Sequence, residues 1–517
     1  MKVKFLIFLF HYSFTSLLWG SIEKKPNILL LTADDLGWDS LGCMGNPLPG
    51  LSPHLDELAA EGLLIKHAYV ATPICGPSRQ SIYTGIFPQQ SGFMGHGVQP
   101  PLWWRVEGRK VIKKSITSHL LDHEYLTGLI GKHGSEWCRF SVPPRGQNIE
   151  TGMGRNPQDY IEFTQDFILR AKQEKKPFFL AANTHDPHRY WANHENETPQ
   201  WINAMMGDNT WKVFANGKPY PDPRKSFNPE DCPVPLPYHR DEKVQDLLAT
   251  YYGSVNRMDE VVGGILQALD ESGLAKNTIV LFLSDHGMAW DLSKWSLYPS
   301  GVRSPLIIRW PLNIPAGRVE EKAVVSVVDL VPTILDLCNL PAMDEIEGSS
   351  FKCILEGNNK NWKRVQAFSC FNYMNNEASI DQSISSFSSD LADKFEQYRP
   401  SRALNDPFFS YVWNGWSNGS NQLPGTMLGE FHGILSKAIE ESKGKNNHEF
   451  SMQKLFIEMR CPEEFYHLKN DPACKINLAS DPRYRQKLQQ YRKSMRKILT
   501  RTNDHELQNF INFISTK

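Results

Sequence analysis

Unbroken apolar runs mark the strands of this chain. Ile28 to Leu31 and Ile279 to Leu283 are apolar at every position, and Phe178 to Ala182 repeats the pattern. A strand with one face in water alternates apolar and polar residues, whereas a strand covered on both faces does not. The runs therefore predict a parallel sheet buried between two layers of helices.

Helical patterns separate these runs. Apolar residues recur at helical spacing in Pro53 to Leu64, Pro157 to Lys172 and Asp241 to Ser272. Alternation of strand and helix is typical of an α/β fold. We predict a doubly wound, mostly parallel sheet flanked by helices, with a smaller α+β domain after it.

Length and local composition suggest the domain organisation. At 517 residues the chain is too long for one compact core of ordinary size, so two domains are expected. The polar run Glu356 to Lys363 is the candidate linker. It predicts an N-terminal domain of residues 22–360 and a C-terminal domain of residues 361–517, which ends in a basic helix from Pro482 to Leu499.

The first residues have the layout of a secretory signal peptide. A basic start at Lys2 and Lys4 precedes the apolar run Phe5 to Phe10, and small residues follow near Gly20. We expect residues 1–21 to be removed on export to a periplasmic, extracellular or lysosomal compartment. No other segment is long and apolar enough to predict a membrane span.

Charge and cysteine content narrow the function classes. The chain has 56 basic and 57 acidic residues, so net charge gives no indication of nucleic-acid binding. Export permits disulfides, and Cys461 with Cys474 is the pair we expect, since the two flank a short segment. The cysteines lack the paired close spacing of a zinc site.

Charged and polar side chains follow four predicted strands where each one ends. In open α/β sheets ligands bind at the carboxyl edge of the strands. Adjacent Asp residues often only cap a helix, and a single His at a strand end is usually structural. Coincidence at four strand ends favours one shared site instead. The residues are Asp34, Asp35, Lys132, His133, His185, Asp285 and His286.

The stretch from Thr72 to Gly85 places a cysteine at the start of a short predicted helix. It reads Thr-Pro-Ile-Cys-Gly-Pro-Ser-Arg-Gln-Ser-Ile-Tyr-Thr-Gly and contains Cys75 and Arg79. A cysteine in a Pro/Gly turn needs no function by itself. The pattern Cys-x-Pro-Ser-Arg followed by Thr-Gly nevertheless resembles the signature of the sulfatase family. In that family a maturation enzyme oxidises the cysteine to formylglycine, an aldehyde.

The resemblance covers nearly the whole chain after the signal segment. It implies the α/β fold of the alkaline phosphatase and sulfatase type. The sequence His-Asp-Pro-His-Arg at His185 and the position of Lys294 are most similar to the branch that contains N-sulfoglucosamine sulfohydrolase. The similar segments, in the family's order, are Asn27 to Gly37, Cys75 to Gly85, Gly131 to His133, His185 to Arg189, Tyr251 to Gly263, Asp285 to Gly287 and Asp329 to Leu335.

The resemblance implies a divalent metal site. Its ligands would be Asp34, Asp35, Asp285 and His286, with the modified Cys75 as a further ligand. Oxygen-rich ligation suits a hard ion such as Ca²⁺. His286 stands where the family more often has Asn, and imidazole suits softer ions, so the identity of the metal stays open.

The resemblance also implies a sulfate pocket formed by Arg79, Lys132, His185 and Lys294, with His133 as the base of a second step. Cations directed at the sulfate and its leaving atom would lower the barrier as negative charge develops there. The family usually separates its Lys and His by one residue, whereas Lys132 and His133 are adjacent. Neighbouring strand residues point to opposite faces unless a bulge intervenes.

A hydrated formylglycine carries two hydroxyls on one carbon, and the resemblance implies that one of them attacks sulfur. The leaving group would take a proton from His185 or Lys294. The second hydroxyl would then lose its proton and expel sulfate, which restores the aldehyde. A serine in place of Cys75 lacks that second hydroxyl and would stall as a sulfated enzyme.

Three functions follow as alternatives. A sulfatase acting on a sulfated saccharide by O- or N-desulfation is favoured. A phosphomonoester or phosphonate hydrolase on the same fold would also accept a tetrahedral anion, and a noncatalytic carbohydrate-binding protein could retain the fold. The sugar and the oligomeric state are not predicted. Loops expected to select the sugar include Trp103 and Trp104, Trp137, and the insertion from Trp191 to Tyr238.

Overall fold

A computed structural model describes most of the chain. It covers residues 25–95, 114–133, 138–144, 155–188, 221–236, 238, 240, 242–372, 399–419 and 459–517. The predicted signal segment and the loop tryptophans at 103, 104 and 137 lie outside the described residues, as does most of the 191–238 insertion.

Seven of the described strands form the main sheet, in the order β3-β4-β1-β5-β6-β2-β7 defined below. Strand β1 pairs in parallel with β4 on one side and β5 on the other, so that Leu29 lies between Leu180 and Val280. Only β6 runs antiparallel to its two neighbours. The strands are β1 (Asn27–Asp34), β2 (Leu63–Tyr69), β3 (Leu126–Gly131), β4 (Phe178–Pro187), β5 (Thr278–Ser284), β6 (Arg303–Arg309) and β7 (Arg318–Ser326).

Helices cover both faces of this sheet, which explains the unbroken apolar runs. Ile28 and Leu30 pack into one hydrophobic cluster, and Leu29 and Leu31 pack into the other. Every position of β1 is buried. The helices of this part of the chain are α1 (Pro53–Ala60), α2 (Cys75–Thr84), α3 (Pro88–Ser91), α4 (Ile116–Asp122), α5 (Pro157–Glu174), α6 (Glu242–Glu271), α7 (Pro299–Val302), α8 (Leu330–Leu337) and α9 (Lys352–Leu355).

A smaller antiparallel sheet follows. Its four strands are arranged β11-β10-β9-β8. Two C-terminal helices cover one face of it, where Tyr491 packs against Phe465 and Phe510 packs against Trp413. The elements are β8 (Ala367–Phe371), β9 (Ser401–Asn405), β10 (Phe409–Asn414), β11 (Glu463–His467), α10 (Arg485–Arg501) and α11 (Leu507–Ser515).

The fold class is confirmed, but two features differ from expectation. The sequence patterns do not predict β7, because this strand lies at the sheet edge and exposes Glu321 and Lys322 instead of forming an apolar run. The expected disulfide between Cys461 and Cys474 is wrong: both thiols are free, with Cys461 exposed and Cys474 buried. None of the described helices is both long and apolar enough to cross a lipid bilayer.

Candidate active site

The carboxyl ends of β1 and β5 bring three carboxylates together. Asp34 and Asp285 are fully buried, and so is Asp35. Adjacent residues of a regular strand point apart, but the register of β1 shifts after Thr32, and Asp35 has a φ of 63°. This local departure from strand geometry directs both neighbouring Asp side chains to the same site.

Cys75 is the first residue of α2 and lies against this cluster. Its Sγ is 3.4 Å from Oδ1 of Asp34 and 3.1 Å from Nε2 of His286. The Ser78 hydroxyl donates a hydrogen bond to the backbone carbonyl of Asp285, which anchors the first turn of the helix. Burial, and then the Asp34 carboxylate, raise the pKa of the Cys75 thiol, so the unmodified side chain is a poor nucleophile.

Arg79 lies one helical turn beyond Cys75 and points to the same cluster. Its Nε is 2.9 Å from Oδ2 of Asp285, and its Nη1 donates to the Thr32 hydroxyl at 2.7 Å. Burial alone would lower the pKa of this guanidinium, but Asp285 and Asp34 raise it. Arg79 is therefore a fixed buried cation.

Two lysines balance the remaining carboxylates. The Lys132 ammonium donates to Asp34, and Nζ of Lys294 lies 3.0 Å from Oδ1 of Asp35. Burial alone would raise the pKa of Asp34, but Lys132, followed by His188 and Arg79, holds it well below its ordinary value. The site thus contains three carboxylates facing three cations in a water-poor pocket.

His286 shows which of its nitrogens is available to a ligand. Its Nδ1 lies 2.8 Å from the Gly287 carbonyl, which can only accept, so Nδ1 carries the ring proton. In the neutral ring Nε2 then presents a lone pair. This atom lies 3.2 Å from Oδ1 of Asp35, another acceptor.

The donor atoms are spaced closely enough for a single cation. Atoms of Asp34, Cys75, Asp285 and His286 all lie within 4.8 Å of one another, and all four residues are buried. A second group within the same limit combines Asp34 and Cys75 with Asp35 and His188. Together the two groups offer three carboxylates, the Cys75 thiol and two imidazoles, and this chemistry fits a divalent metal ion.

His185 and His188 reach the site from the end of β4. His185 is buried, and its Nδ1 has no hydrogen-bond partner among the described residues. Burial, followed by the Lys132 charge, holds the pKa of His185 well below its ordinary value. The Nε2 of His188 lies 3.7 Å from Oδ2 of Asp35. The residue patterns do not single out His188, although its place in His-Asp-Pro-His-Arg is a usable signal.

Two arginines hold the chain between these histidines. Arg257 of α6 donates through Nε to Oδ2 of Asp186 at 2.7 Å and through Nη2 to Oδ1 at 2.9 Å. Arg155 donates to the same Oδ1 at 2.5 Å. This buried clamp fixes Asp186, the residue next to His185. The sequence patterns do not identify it, because its members lie on three separate segments.

His133 does not follow Lys132 into the carboxylate cluster. Its ring lies edge-on to Phe140, with centroids 6.1 Å apart, and its side chain is partly buried. Burial, followed by the Arg79 charge, lowers the pKa of His133.

A cleft extends from Lys294 to the second sheet. Aromatic and cationic side chains share its walls: the Arg460 guanidinium lies 5.4 Å from the ring centroid of Tyr298, and that of Arg399 lies 5.5 Å from the ring centroid of Trp416. Val412, Asn414 and Glu464 form part of its floor.

Solved structures with the same fold include two that are informative here. One is a complex of a protein with its substrate D-glucosamine-2-N,6-O-disulfate; it is 18% identical, has a TM-score of 0.60, and the match covers 93% of this chain and 99% of that one. The other is the phosphonate monoester hydrolase of Agrobacterium radiobacter, 16% identical with a TM-score of 0.59, covering 92% of this chain and 96% of that one. At these identities the likeness establishes the fold.

Sequence comparison establishes the family. An ulvan-active sulfatase of Formosa agariphila is 26% identical over 499 residues, which cover 93% of this chain and 76% of the relative. The human N-sulphoglucosamine sulphohydrolase is 32% identical over 336 residues, 63% of each protein. The sulfatase family model matches residues 26–340. The chain therefore belongs to the sulfatase family and is a hydrolase of this class.

Proposed function

We propose that this sulfatase removes sulfate ester or N-sulfo groups from a sulfated carbohydrate, using formylglycine formed from Cys75. The observation that carries the proposal is the position of Cys75. It begins a helix, is buried, and lies within 3.4 Å of both Asp34 and His286. Relatives named for ulvan and for N-sulphoglucosamine support the carbohydrate class.

We propose that Asp34, Asp35, Asp285 and His286, with modified residue 75, hold one Ca²⁺ ion. In the neutral ring the lone pair of His286 Nε2 faces an Asp35 oxygen at 3.2 Å, and this contact is repulsive. A cation bound by both atoms would relieve the repulsion. A bound divalent cation would supply Lewis-acid polarisation at sulfate oxygen. Because His286 offers nitrogen, metal analysis must also include softer ions.

We assign sulfate binding to Arg79, Lys132 and Lys294. All three cations already face carboxylates of the site, and a fixed cation needs little rearrangement to stabilise charge that develops on the substrate. His185 or Lys294 would protonate the leaving oxygen or nitrogen, and the lowered pKa of His185 favours Lys294 as this acid. The dependence of kcat on pH in His185→Gln and Lys294→Gln proteins identifies the acid. The limb of the pH profile that reports the acid should disappear only in the variant that lacks it.

Formylglycine, once hydrated, would supply one hydroxyl to attack sulfur and a second to release the sulfate. We propose His133 as the base that serves this release, although its ring contacts Phe140 instead of the cluster. Repeated turnover by a His133→Ala protein at the normal rate would exclude that role.

The cleft beside Lys294 supports a saccharide substrate. Trp295, Tyr298 and Trp416 line it together with Arg399 and Arg460, whose guanidinium groups lie over the rings of Trp416 and Tyr298. The combination of aromatic rings and arginines suits an anionic saccharide better than a simple aryl sulfate.

A phosphomonoester or phosphonate hydrolase is the second candidate. It is favoured by one observation, the shared fold of the Agrobacterium phosphonate monoester hydrolase. Its substrates are also tetrahedral anions, which the three cations could bind. The third alternative, a noncatalytic carbohydrate-binding protein, has no observation in its favour and would result only from failed maturation at Cys75.

One panel of substrates tests all three functions. Purified, matured protein would be incubated with defined sulfated saccharides, including N-sulfoglucosamine, and with p-nitrophenyl phosphate and a phosphonate monoester. Sulfate release measured by ion chromatography should exceed phosphate or phosphonate ester hydrolysis. Faster phosphate or phosphonate hydrolysis would support the second function, and saccharide binding without hydrolysis would support the third.

We further propose export through residues 1–21 and a domain boundary near residue 360. The second sheet begins at Ala367, after the connection that follows α9. N-terminal sequencing of the protein recovered outside the producing cytoplasm tests the first proposal. Limited proteolysis tests the second, since a boundary predicts preferred cleavage between Glu356 and Lys363.

A further inference from the structure

The C-terminal helix α10 carries basic residues and no acidic ones. Its 17 residues read Arg-Gln-Lys-Leu-Gln-Gln-Tyr-Arg-Lys-Ser-Met-Arg-Lys-Ile-Leu-Thr-Arg. The whole chain has a formal net charge of −1, so this is a local concentration of positive charge and not a property of the composition. The basic residues are Arg485, Lys487, Arg492, Lys493, Arg496, Lys497 and Arg501.

Packing divides these residues into two groups. Leu488, Tyr491 and Met495 face inward, and Arg492 on that side is buried against Glu463 at 2.6 Å. Arg501 pairs with Glu347 at 3.0 Å, and the ammonium of Lys487 lies over Phe409 and Tyr491. These residues have structural roles.

The second group has no structural role in the described part of the chain. The side chains of Arg485, Lys493, Arg496 and Lys497 are exposed and form no ion pair or hydrogen bond with any described residue. We call these four residues the basic face. At 3.6 residues per turn they lie within about one third of the helix circumference, and at 1.5 Å per residue they span about 18 Å.

A charged helix face is most often only a solvated surface. Such faces usually mix both signs, because pairs of opposite charge three or four residues apart stabilise a helix whereas like charges destabilise it. Lys493 has Arg496 and Lys497 at these spacings. The basic face therefore opposes helix stability slightly, and a binding function explains its single sign.

We propose that the basic face binds the sulfated polysaccharide chain that carries the substrate groups. This inference rests on the proposed function for its choice of polymer. Sulfate groups repeat along such a chain. The basic face is about 18 Å long, from the helix rise per residue, so it can contact several of these groups. Arginine adds a planar fork of donors that suits oxyanions.

The basic face is separate from the catalytic cleft. Helix α10 packs on the face of the second sheet that presents Tyr411 and Phe465, whereas Val412 and Glu464, on the opposite face, line the cleft. A polymer held on the helix would raise the local concentration of its sulfate groups near the cleft without contacting the reacting group. The face should therefore affect KM for polymer and leave kcat for small substrates unchanged.

The test compares two variants of the full, matured chain. In the first, Arg485, Lys493, Arg496 and Lys497 are replaced by Gln; in the control, the exposed Lys276, Lys322, Lys360 and Lys363 are replaced by Gln, so that both lose four charges. Binding to immobilised heparin is measured across a salt series. Each ionic contact releases bound counterions, so the loss of four contacts should reduce the slope of log Kd against log salt concentration by about 3. The control variant should bind like the parent protein.

Three outcomes would overturn the proposal. They are equal heparin affinity in the two variants, stronger binding of the parent to phosphatidylserine vesicles than to heparin, or stronger binding to double-stranded DNA. Hydrolysis of the smallest saccharide that the panel identifies should stay within twofold of the parent in both variants. If no panel saccharide releases sulfate, the proposed function fails, and that result is distinct from the heparin comparison.

Discussion

Arg79 illustrates how single residues define this site. Asp285, Thr32 and Asp34 surround its guanidinium, at 2.9, 2.7 and 3.8 Å. All of these partners lie at the ends of β1 and β5, so the direction of the guanidinium is set by the sheet and not by a mobile loop. Lysine could retain the charge at this position but not the fork of donors.

We predict that Arg79→Ala lowers kcat/KM by at least about 10²- to 10³-fold, the usual cost of removing one charge-stabilising donor. Arg79→Lys should recover only part of this loss. Sulfate release on the best panel substrate measures the effect, and circular dichroism with thermal melting checks that the fold is intact. Normal hydrolysis by a folded Arg79→Ala protein would refute the assignment of Arg79 to sulfate binding.

Residue types at strand ends, together with the family resemblance of the helix that begins at Cys75, predicted the centre of the site. Asp34, Asp285 and Arg79 converge because parallel strands end at one edge and α2 starts there. His188 lies beyond Pro187, where the chain leaves the regular strand, so spacing alone cannot place it. Lys132 and His133 follow the last residue of β3, where Gly131 has a φ of 83° and the chain leaves the strand, and their side chains diverge there.

At the scale of elements, a strand is predictable from sequence where it forms an unbroken apolar run. β1, β4 and β5 are covered on both faces. Their apolar runs predict where each strand begins to within one residue, but they stop up to five residues before the strand ends. β7 exposes residues at the sheet edge, and the strands of the second sheet are buried but include paired polar residues such as Arg402 and Glu463, so the apolar patterns of both are weaker. The shift in β1 after Thr32 leaves no signal in composition, yet it is what brings two adjacent carboxylates to one site.

The second sheet is joined to its C-terminal helices by a buried ion pair. Nε of Arg402 in β9 donates to Oδ2 of Asp504, and Nη2 donates to Oδ1, both at 2.8 Å. Burial alone would raise the pKa of Asp504, but Arg402 lowers it below its ordinary value. A carboxyl group with a lowered pKa in the folded state stabilises the fold above its unfolded pKa of about 3.9 and loses that contribution as pH falls through the folded value.

We predict that Asp504→Asn lowers the free energy of unfolding by about 3–5 kcal/mol near neutral pH, because it leaves the buried Arg402 charge uncompensated. The difference from the parent should shrink below about pH 4, where Asp504 becomes protonated in the unfolded parent. Urea unfolding at several pH values measures both effects. Asp481→Asn removes the carboxylate that pairs with the exposed Arg483; it is the control and should unfold like the parent. An equal loss in both variants would contradict the role of the buried pair.

At the scale of the whole molecule, the charge-dense pocket lies at the edge of the main sheet, and residues of the second sheet line the adjoining cleft. Three buried carboxylates meeting one imidazole lone pair predict that folding and metal binding are linked. A chelator should abolish activity and lower the melting temperature, and Ca²⁺ should restore both. At 100-fold excess over Kd the ion would add about 2.7 kcal/mol of stability.

Metal content measured by inductively coupled plasma mass spectrometry should give one ion per chain in the parent and much less in an Asp35→Asn protein. Full activity in protein that contains no metal after chelation would contradict the metal site. Zinc or another softer ion at one per chain would assign His286 a larger part in selecting the metal than Ca²⁺ requires.

We infer that Cys75 is the precursor of formylglycine and does not act as a thiol in the working enzyme. Its buried position beside Asp34, which raises the pKa of the thiol, argues against thiolate catalysis. Peptide mass spectrometry of residues around position 75, on protein whose sulfate release has been measured in the same sample, tests this most directly. We predict formylglycine at position 75 in a fraction that scales with activity. Active protein in which every copy carries unmodified Cys75 would contradict it.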